Sequence, residues 1–141
     1  MGGATGGEIG MSNSNASEEL PVYAIRTREY ARRDINAATV RLAELVSDAA
    51  ALAWSQELKE AIGSLATLPR RCPRVPEPFH GEVRQMLYRR SHSSLVYRVL
   101  FRITGEEADS PEPPTIVIIH VRHGAARPLT RAQIRQIEAD E

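Results

Sequence analysis

The chain has 141 residues and sets 18 Lys and Arg against 18 Asp and Glu, so its formal charge is zero. That length fits one domain with a real core and not two, and 42% hydrophobic with 26% charged residues is a soluble globular profile. Zero net charge excludes a uniformly basic nucleic-acid coat but not a local basic patch. The single cysteine, Cys72, excludes an internal disulfide framework and points to a reducing compartment.

Residues 1–19 are rich in Gly, Ser and Asn with little to bury, which predicts a disordered tail. They carry neither the basic start nor the apolar stretch of a secretion signal. The strongest apolar run, residues 116–119, is far shorter than the roughly 20 residues of a spanning helix. The expectation is a cytoplasmic protein with no membrane contact.

Val22, Tyr23 and Ile25 read as a first strand over 22–28. Thr27 can cap a helix that has Glu29 in its first turn. Ala31, Ile35, Ala38, Leu42 and Leu45 then recur at spacings of four and three, one apolar helical face. Ser47 and Asp48 break that pattern and cap a second helix over about 49–68, with Trp54, Leu58, Ile62 and Leu65 on one side. So short a break predicts an antiparallel helical hairpin with Trp54 in its core. Pro69, Pro73, Pro76 and Pro78 punctuate a loop that cannot be helix interior or central strand.

Three strand-like runs follow, over 83–89, 95–104 and 115–123. Ser91, Ser93 and Ser94 suit a hairpin loop between the first two, and the acidic, proline-containing stretch 106–114 suits an exposed loop before the third. Thr130 can cap a short helix carrying Ile134 and Ile137. The reading is an α+β fold: strand, helical hairpin, three-stranded antiparallel meander, with the hairpin on one face of the sheet. It divides into a tail over 1–19, a domain over 20–129 and a helix or tail over 130–141.

Charge is unevenly placed. Between residues 70 and 104, eight arginines meet only Glu77 and Glu82, a local excess of about +6. Lys59 is the only lysine. Strand alternation puts Tyr97, Val99, Phe101 and Ile103 on one face, and Val96, Arg98, Leu100 and Arg102 on the other. It also groups Arg84, Met86 and Tyr88, and sets Ile118, His120 and Arg122 against Ile119, Val121 and His123. The expectation is an open second sheet face bearing Arg84, Tyr88, Arg98, His120 and Arg122. The planar fork of arginine suits phosphate and carboxylate. His120 and His123 should point to opposite faces and Cys72 is isolated, so no metal and no cofactor is expected.

Three segments, in order, resemble a known family: Glu82-Val83-Arg84-Gln85-Met86-Leu87-Tyr88, then Tyr97-Arg98-Val99-Leu100-Phe101-Arg102-Ile103, then Ile118-Ile119-His120-Val121-Arg122-His123-Gly124-Ala125-Ala126-Arg127. Over roughly residues 23–129 the chain resembles the RelE/ParE superfamily of type II toxin–antitoxin toxins, also labelled plasmid stabilisation proteins. The resemblance implies a cytoplasmic growth-arresting toxin held in check by a cognate antitoxin. RelE-like members cut mRNA on the ribosome, whereas ParE-like members poison DNA gyrase.

By the same resemblance, Arg98 matches a phosphate-contacting arginine of the nucleases, and Arg84 a basic residue of the preceding strand. The nuclease lysines and C-terminal tyrosine have no counterpart, since Pro128, Leu129 and Thr130 follow Arg127. The His-Gly-Ala-Ala-Arg exit leans toward the ParE-like branch. Cleavage would need a base, an acid and cations, for which Arg98, Arg84, His120 and Tyr88 are the catalytic candidates. Arg102, Arg122, His123 and Arg127 are the target-binding candidates. The implied function is a toxin acting on a macromolecular target. The alternatives are a ribosome-dependent mRNA endonuclease of RelE type and a non-catalytic small RNA-binding domain.

Overall fold

The computed structural model describes residues 22–90 and 95–141. The tail expected over 1–19 and the loop expected at Ser91, Ser93 and Ser94 lie outside the described residues.

Strand β1 (Ala24–Thr27) leads into helix α1 (Glu29–Leu45), and α2 (Asp48–Gly63) follows after Val46 and Ser47. Thr27 stays paired in β1, so Arg28 takes the cap position of α1 that was expected of Thr27. Ser47 caps α2 as its side chain permits, its hydroxyl accepting from the Ala50 N–H at 3.0 Å. Beyond Gly63 the chain tightens into two 3₁₀ turns, Ser64–Ala66 and Pro69–Arg71. Proline at 69 forbids continuation of the α-helix to 68 and beyond.

Strands β2 (Arg84–Arg89), β3 (Val96–Thr104) and β4 (Thr115–His123) form the antiparallel meander. β1 pairs in parallel with β4, which gives the order β1-β4-β3-β2. β4 is buried from Thr115 to Val121, as a strand covered on both faces must be.

Two cores flank the sheet. On one side Ala31, Trp54, Leu58 and Ile62 of the hairpin pack on Val99, Phe101, Ile116 and Ile118, and Trp54 tilts against Tyr97 with ring centres 5.0 Å apart. On the other side α3 (Arg131–Ala139) lays Ile134 and Ile137 on Leu100, Val117 and Ile119. Val75, Phe79 and Val83 of the proline loop complete that second core. Each fully buried isoleucine here stabilises by about 1.5–3 kcal/mol. Thr130 and Gln133 form a reciprocal capping box that starts α3. The second face, expected to be open, is therefore covered, because α3 and the proline loop carry apolar residues that must be buried somewhere.

Register decides which strand residues share a face. Arg84, Met86 and Tyr88 lie opposite Phe101, Val99 and Tyr97, on the hairpin side. In β4, His120 partners Leu100 while Ile118 partners Phe101, so Ile119 is an extra, bulged residue. The bulge puts Ile118 in the hairpin core and Ile119 in the second core, the reverse of the expected partition. Downstream of it Val121 lies in the hairpin core, while Arg122 partners Arg98 on the other side.

The acidic loop after β3 starts at Gly105, whose φ is +76; a Cβ there would lie 2.4 Å from the Pro113 carbonyl oxygen, so the turn requires glycine. Glu106 is then anchored. It accepts from the Tyr23 hydroxyl at 2.6 Å and from both terminal nitrogens of Arg70 at 2.8 and 2.6 Å. These donors pull its carboxyl down to about 2, the Arg70 bonds contributing most. A loop expected to be simply exposed is thereby tied back to the start of β1.

Candidate functional site

Arg98 is engaged through all three of its guanidinium nitrogens. Its Nε donates to Gln85 Oε1 at 2.6 Å, and its two terminal nitrogens donate to the two oxygens of Glu77 at 2.8 Å each. The pair is withdrawn from water, with the Arg98 side chain 13% and the Glu77 side chain 5% exposed. The Arg98 bonds hold the Glu77 carboxyl below the usual carboxylate range against the opposing effect of burial. Glu77 sits between Pro76 and Pro78, whose fixed φ angles hold it in place.

Arg84 lies across the sheet from this pair. It is ion-paired with Glu82 and donates to the Cys72 carbonyl at 2.6 Å and the Arg70 carbonyl at 3.3 Å. It fastens the proline loop along β2. Arg102 is ion-paired with Glu141, lies 3.5 Å from Glu138 and donates to the His80 carbonyl at 2.6 Å. It fastens α3. Tyr88 is buried in the hairpin core, its hydroxyl 3.4 Å from Glu57 Oε1. Burial, with Glu57 beside it, raises the phenol above its usual value, so it stays protonated at neutral pH and offers no base there.

His120 points its Nδ1 at Asp34 Oδ2, 2.7 Å away, and the same oxygen accepts the Val121 N–H at 3.1 Å. β1 ends at Thr27, opposite Ile118, so the Asp34 carboxylate from α1 takes over the edge of β4 where strand pairing stops. Tyr30 meets the imidazole edge-on at 5.5 Å. Arg122 donates to the Arg127 carbonyl, and the Arg127 side chain is exposed. His123 accepts the Ala125 N–H on Nδ1 at 3.0 Å and meets Tyr97 edge-on at 5.3 Å, which pins the exit turn.

The four catalytic candidates do not converge. Arg84 and Tyr88 belong to the hairpin side, Arg98 and His120 to the opposite side, and each is engaged within the molecule. The single open face expected for Arg84, Tyr88, Arg98, His120 and Arg122 is corrected on both counts: the β2–β3 register splits the set, and α3 and the proline loop cover the second side. Among the target-binding candidates, Arg102 is engaged by acids, while Arg122, His123 and Arg127 cluster where β4 ends. Among the described residues no three His, Cys, Asp or Glu assemble as metal ligands, and no helix is long and apolar enough to cross a membrane.

Sequence reasoning named the arginines and set Glu77 against them only as a charge count; it missed Glu138 and Glu141 as partners of Arg102 and Asp34 as the partner of His120. Only Glu77 carried a local signal, an acid immobilised between two prolines beside an arginine-rich strand.

The comparisons agree with this fold. Residues 25–128 match the family model described as "ParE toxin of type II toxin-antitoxin system, parDE". No curated protein matches the sequence. The solved structure described as "Chromosomal ParDE TA system from P. aeruginosa" shares the fold with a TM-score of 0.55 at 19% identity, covering 72% of this chain and 96% of that one. A match over the first strand, the hairpin and the whole meander is more than half the chain: it belongs to the ParE toxin family of type II toxin–antitoxin systems.

Proposed function

We propose that this ParE-family toxin arrests growth by binding a macromolecular target, DNA gyrase, and does not cut RNA. The observation that carries the reading is the engagement of Arg98. A guanidinium bound bidentately to Glu77 and through Nε to Gln85 has three of its five N–H donors committed and its charge already paired inside the molecule, which leaves it poorly placed to take a scissile phosphate. General acid–base chemistry also needs proton carriers within reach of one reacting atom, and His120 and Tyr88 stand on opposite sides of the sheet. The partner we assign is a cognate antitoxin that packs on the helical hairpin, since the second sheet face is already covered.

The test is induced expression in a bacterial host. The expected result is filamentation with trapped gyrase–DNA cleavage complexes, and no new transcript ends. Ribosome-dependent transcript cuts that disappear in Arg98→Ala would overturn the proposal in favour of the nuclease alternative.

A further inference from the structure

Lys59, the only lysine of the chain, faces a cavity and no acid. A cleft of about 490 Å³ lies between α1 and α2, next to the end of β1. Arg32 and Lys59 line it from the two helices, and among the described residues that line it there is no carboxylate. The Arg32 guanidinium is fixed there, because one terminal nitrogen donates at 2.9 Å to the carbonyl of Thr27, itself a lining residue. Its other terminal nitrogen is 4.0 Å from Glu29, which lies closer to Arg33, at 3.4 Å. Lys59 has no ion-pair partner among the described residues. Both side chains are exposed, so a partner can reach them.

Ile35 and the buried Ile62 give the cleft an apolar floor, and Asn36 and Ser55 stand on its opposite walls. Because the helices run antiparallel, the next turn along these walls brings Val40 after Asn36 and Leu52 before Ser55. Val40 and Leu52 are 58% and 59% exposed. A cationic pocket and an apolar step thus follow one another along the groove, roughly 10–12 Å apart by the helical rise. Elsewhere the hairpin is not basic: α1 and α2 together carry six acids against four bases. That balance repels a polyanion such as a nucleic-acid backbone. A single carboxylate on an amphipathic helix escapes the repulsion, and the apolar side of such a helix can use Val40 and Leu52.

We propose that this cleft receives one Asp or Glu side chain of the antitoxin, presented by an amphipathic helix whose apolar anchor, about seven residues from that acid, covers Val40 and Leu52. The guanidinium and the ammonium share the carboxylate. Asn36 and Ser55 add neutral donors, and the isoleucine floor takes the methylene stem. The inference rests on the reading that the antitoxin packs on the helical hairpin, and it adds the contact that sets the register of the bound helix.

The test uses the full-length toxin and its cognate antitoxin. Amide hydrogen exchange of the complex reads the docking surface: protection along α1 and α2 is expected, and its absence overturns the hairpin reading and this inference with it. Calorimetry then reads the pocket. Lys59→Gln and Arg32→Gln should each weaken binding about tenfold, since a charge-assisted bond is lost. The Lys59 side chain makes no bond inside the molecule among the described residues, so that variant leaves folding intact even if Arg32→Gln loosens the start of α1. Replacing the acids of the antitoxin by lysine one at a time should find one whose loss is as large and is restored by Lys59→Glu, with an apolar residue about seven positions away. Protection of the hairpin with both Gln variants within about twofold of wild type, the level of an exposed pair, or with no acid restored by Lys59→Glu, overturns the carboxylate site and leaves the hairpin reading standing. Protection of the same helices by a duplex DNA oligonucleotide would make the surface one for nucleic acid and overturn the proposal as well.

Discussion

Removing Glu77 tests whether Arg98 is part of the construction or part of the chemistry. The Arg98 side chain is only 13% exposed, and in Glu77→Leu its guanidinium loses two of its three acceptor contacts. Breaking a buried pair from one side costs about 3–5 kcal/mol, because a charge is left without a partner. Against a domain stability of about 5–15 kcal/mol that is a large fraction. With a urea slope of about 2 kcal/mol/M it moves the midpoint down by about 2 M. Arg98→Met should cost a similar amount by stranding Glu77. The double variant Glu77→Leu/Arg98→Met removes both charges and should cost about 1–2 kcal/mol, mostly from the lost Gln85 and Leu129 contacts. The cycle therefore predicts a coupling of at least about 3 kcal/mol. Acid should narrow the gap between wild type and the double variant. The folded Glu77 carboxyl titrates below its unfolded counterpart, so the pair's contribution is complete above the unfolded value and is lost as pH falls through the folded one. Urea denaturation across pH reads all of this. A single substitution costing under about 1 kcal/mol, or a double variant costing the sum of the singles, would refute the structural role. If the double variant folds and still arrests growth, Arg98 is not required for toxicity.

Glu106→Gln should lower stability at pH 7 by about 1 kcal/mol and no more, because Arg70 is 51% exposed and solvent screens the pair. The folded carboxyl sits at about 2, so the difference between wild type and variant should persist down to about pH 4.5 and vanish as pH falls through 2, read by thermal denaturation. Tyr88→Phe should leave growth arrest unchanged and stability within about 1 kcal/mol, since its hydroxyl makes only a 3.4 Å contact with Glu57. A loss of growth arrest by a folded Tyr88→Phe protein would restore the phenol as a functional group.

The element order was legible because periodicity is a local property. The spacing of Ala31, Ile35, Ala38 and Leu42, the Ser47 and Thr130 caps, and the prolines after Leu68 all act within a few residues of themselves. What failed was any property decided by a distant strand. Alternation says that Arg84 and Tyr88 share a face, but only pairing with Phe101 and Tyr97 says which face it is. The reversal at Ile118 and Ile119 comes from a bulge, which depends on the partner's register. The ion pairs are more distant still. Arg98 reaches Glu77 across 21 positions, Arg102 reaches Glu141 across 39, and His120 reaches Asp34 across 86. A charge count along the chain cannot see such neighbours.

The local excess of positive charge was consequently real in the sequence and largely cancelled in space. Between residues 70 and 104, Arg70, Arg74, Arg84, Arg90, Arg98 and Arg102 all face carboxylates, and Arg71 donates to the Thr67 and Leu68 carbonyls. These contacts share a purpose: each ties a loop or a helix end to a neighbouring element. Arg84 and Arg98 hold the proline loop, Arg70 holds the acidic loop, and Arg102 holds the end of α3. A planar fork that grips both oxygens of one carboxylate serves that purpose better than a lysine ammonium, which accounts for a chain that has many arginines and only Lys59. Guanidinium content in this fold therefore measures how its irregular segments are fastened. Recognition of an outside anion falls to the groups left over after the internal pairs are subtracted, and in the cleft of the helical hairpin that subtraction leaves Lys59.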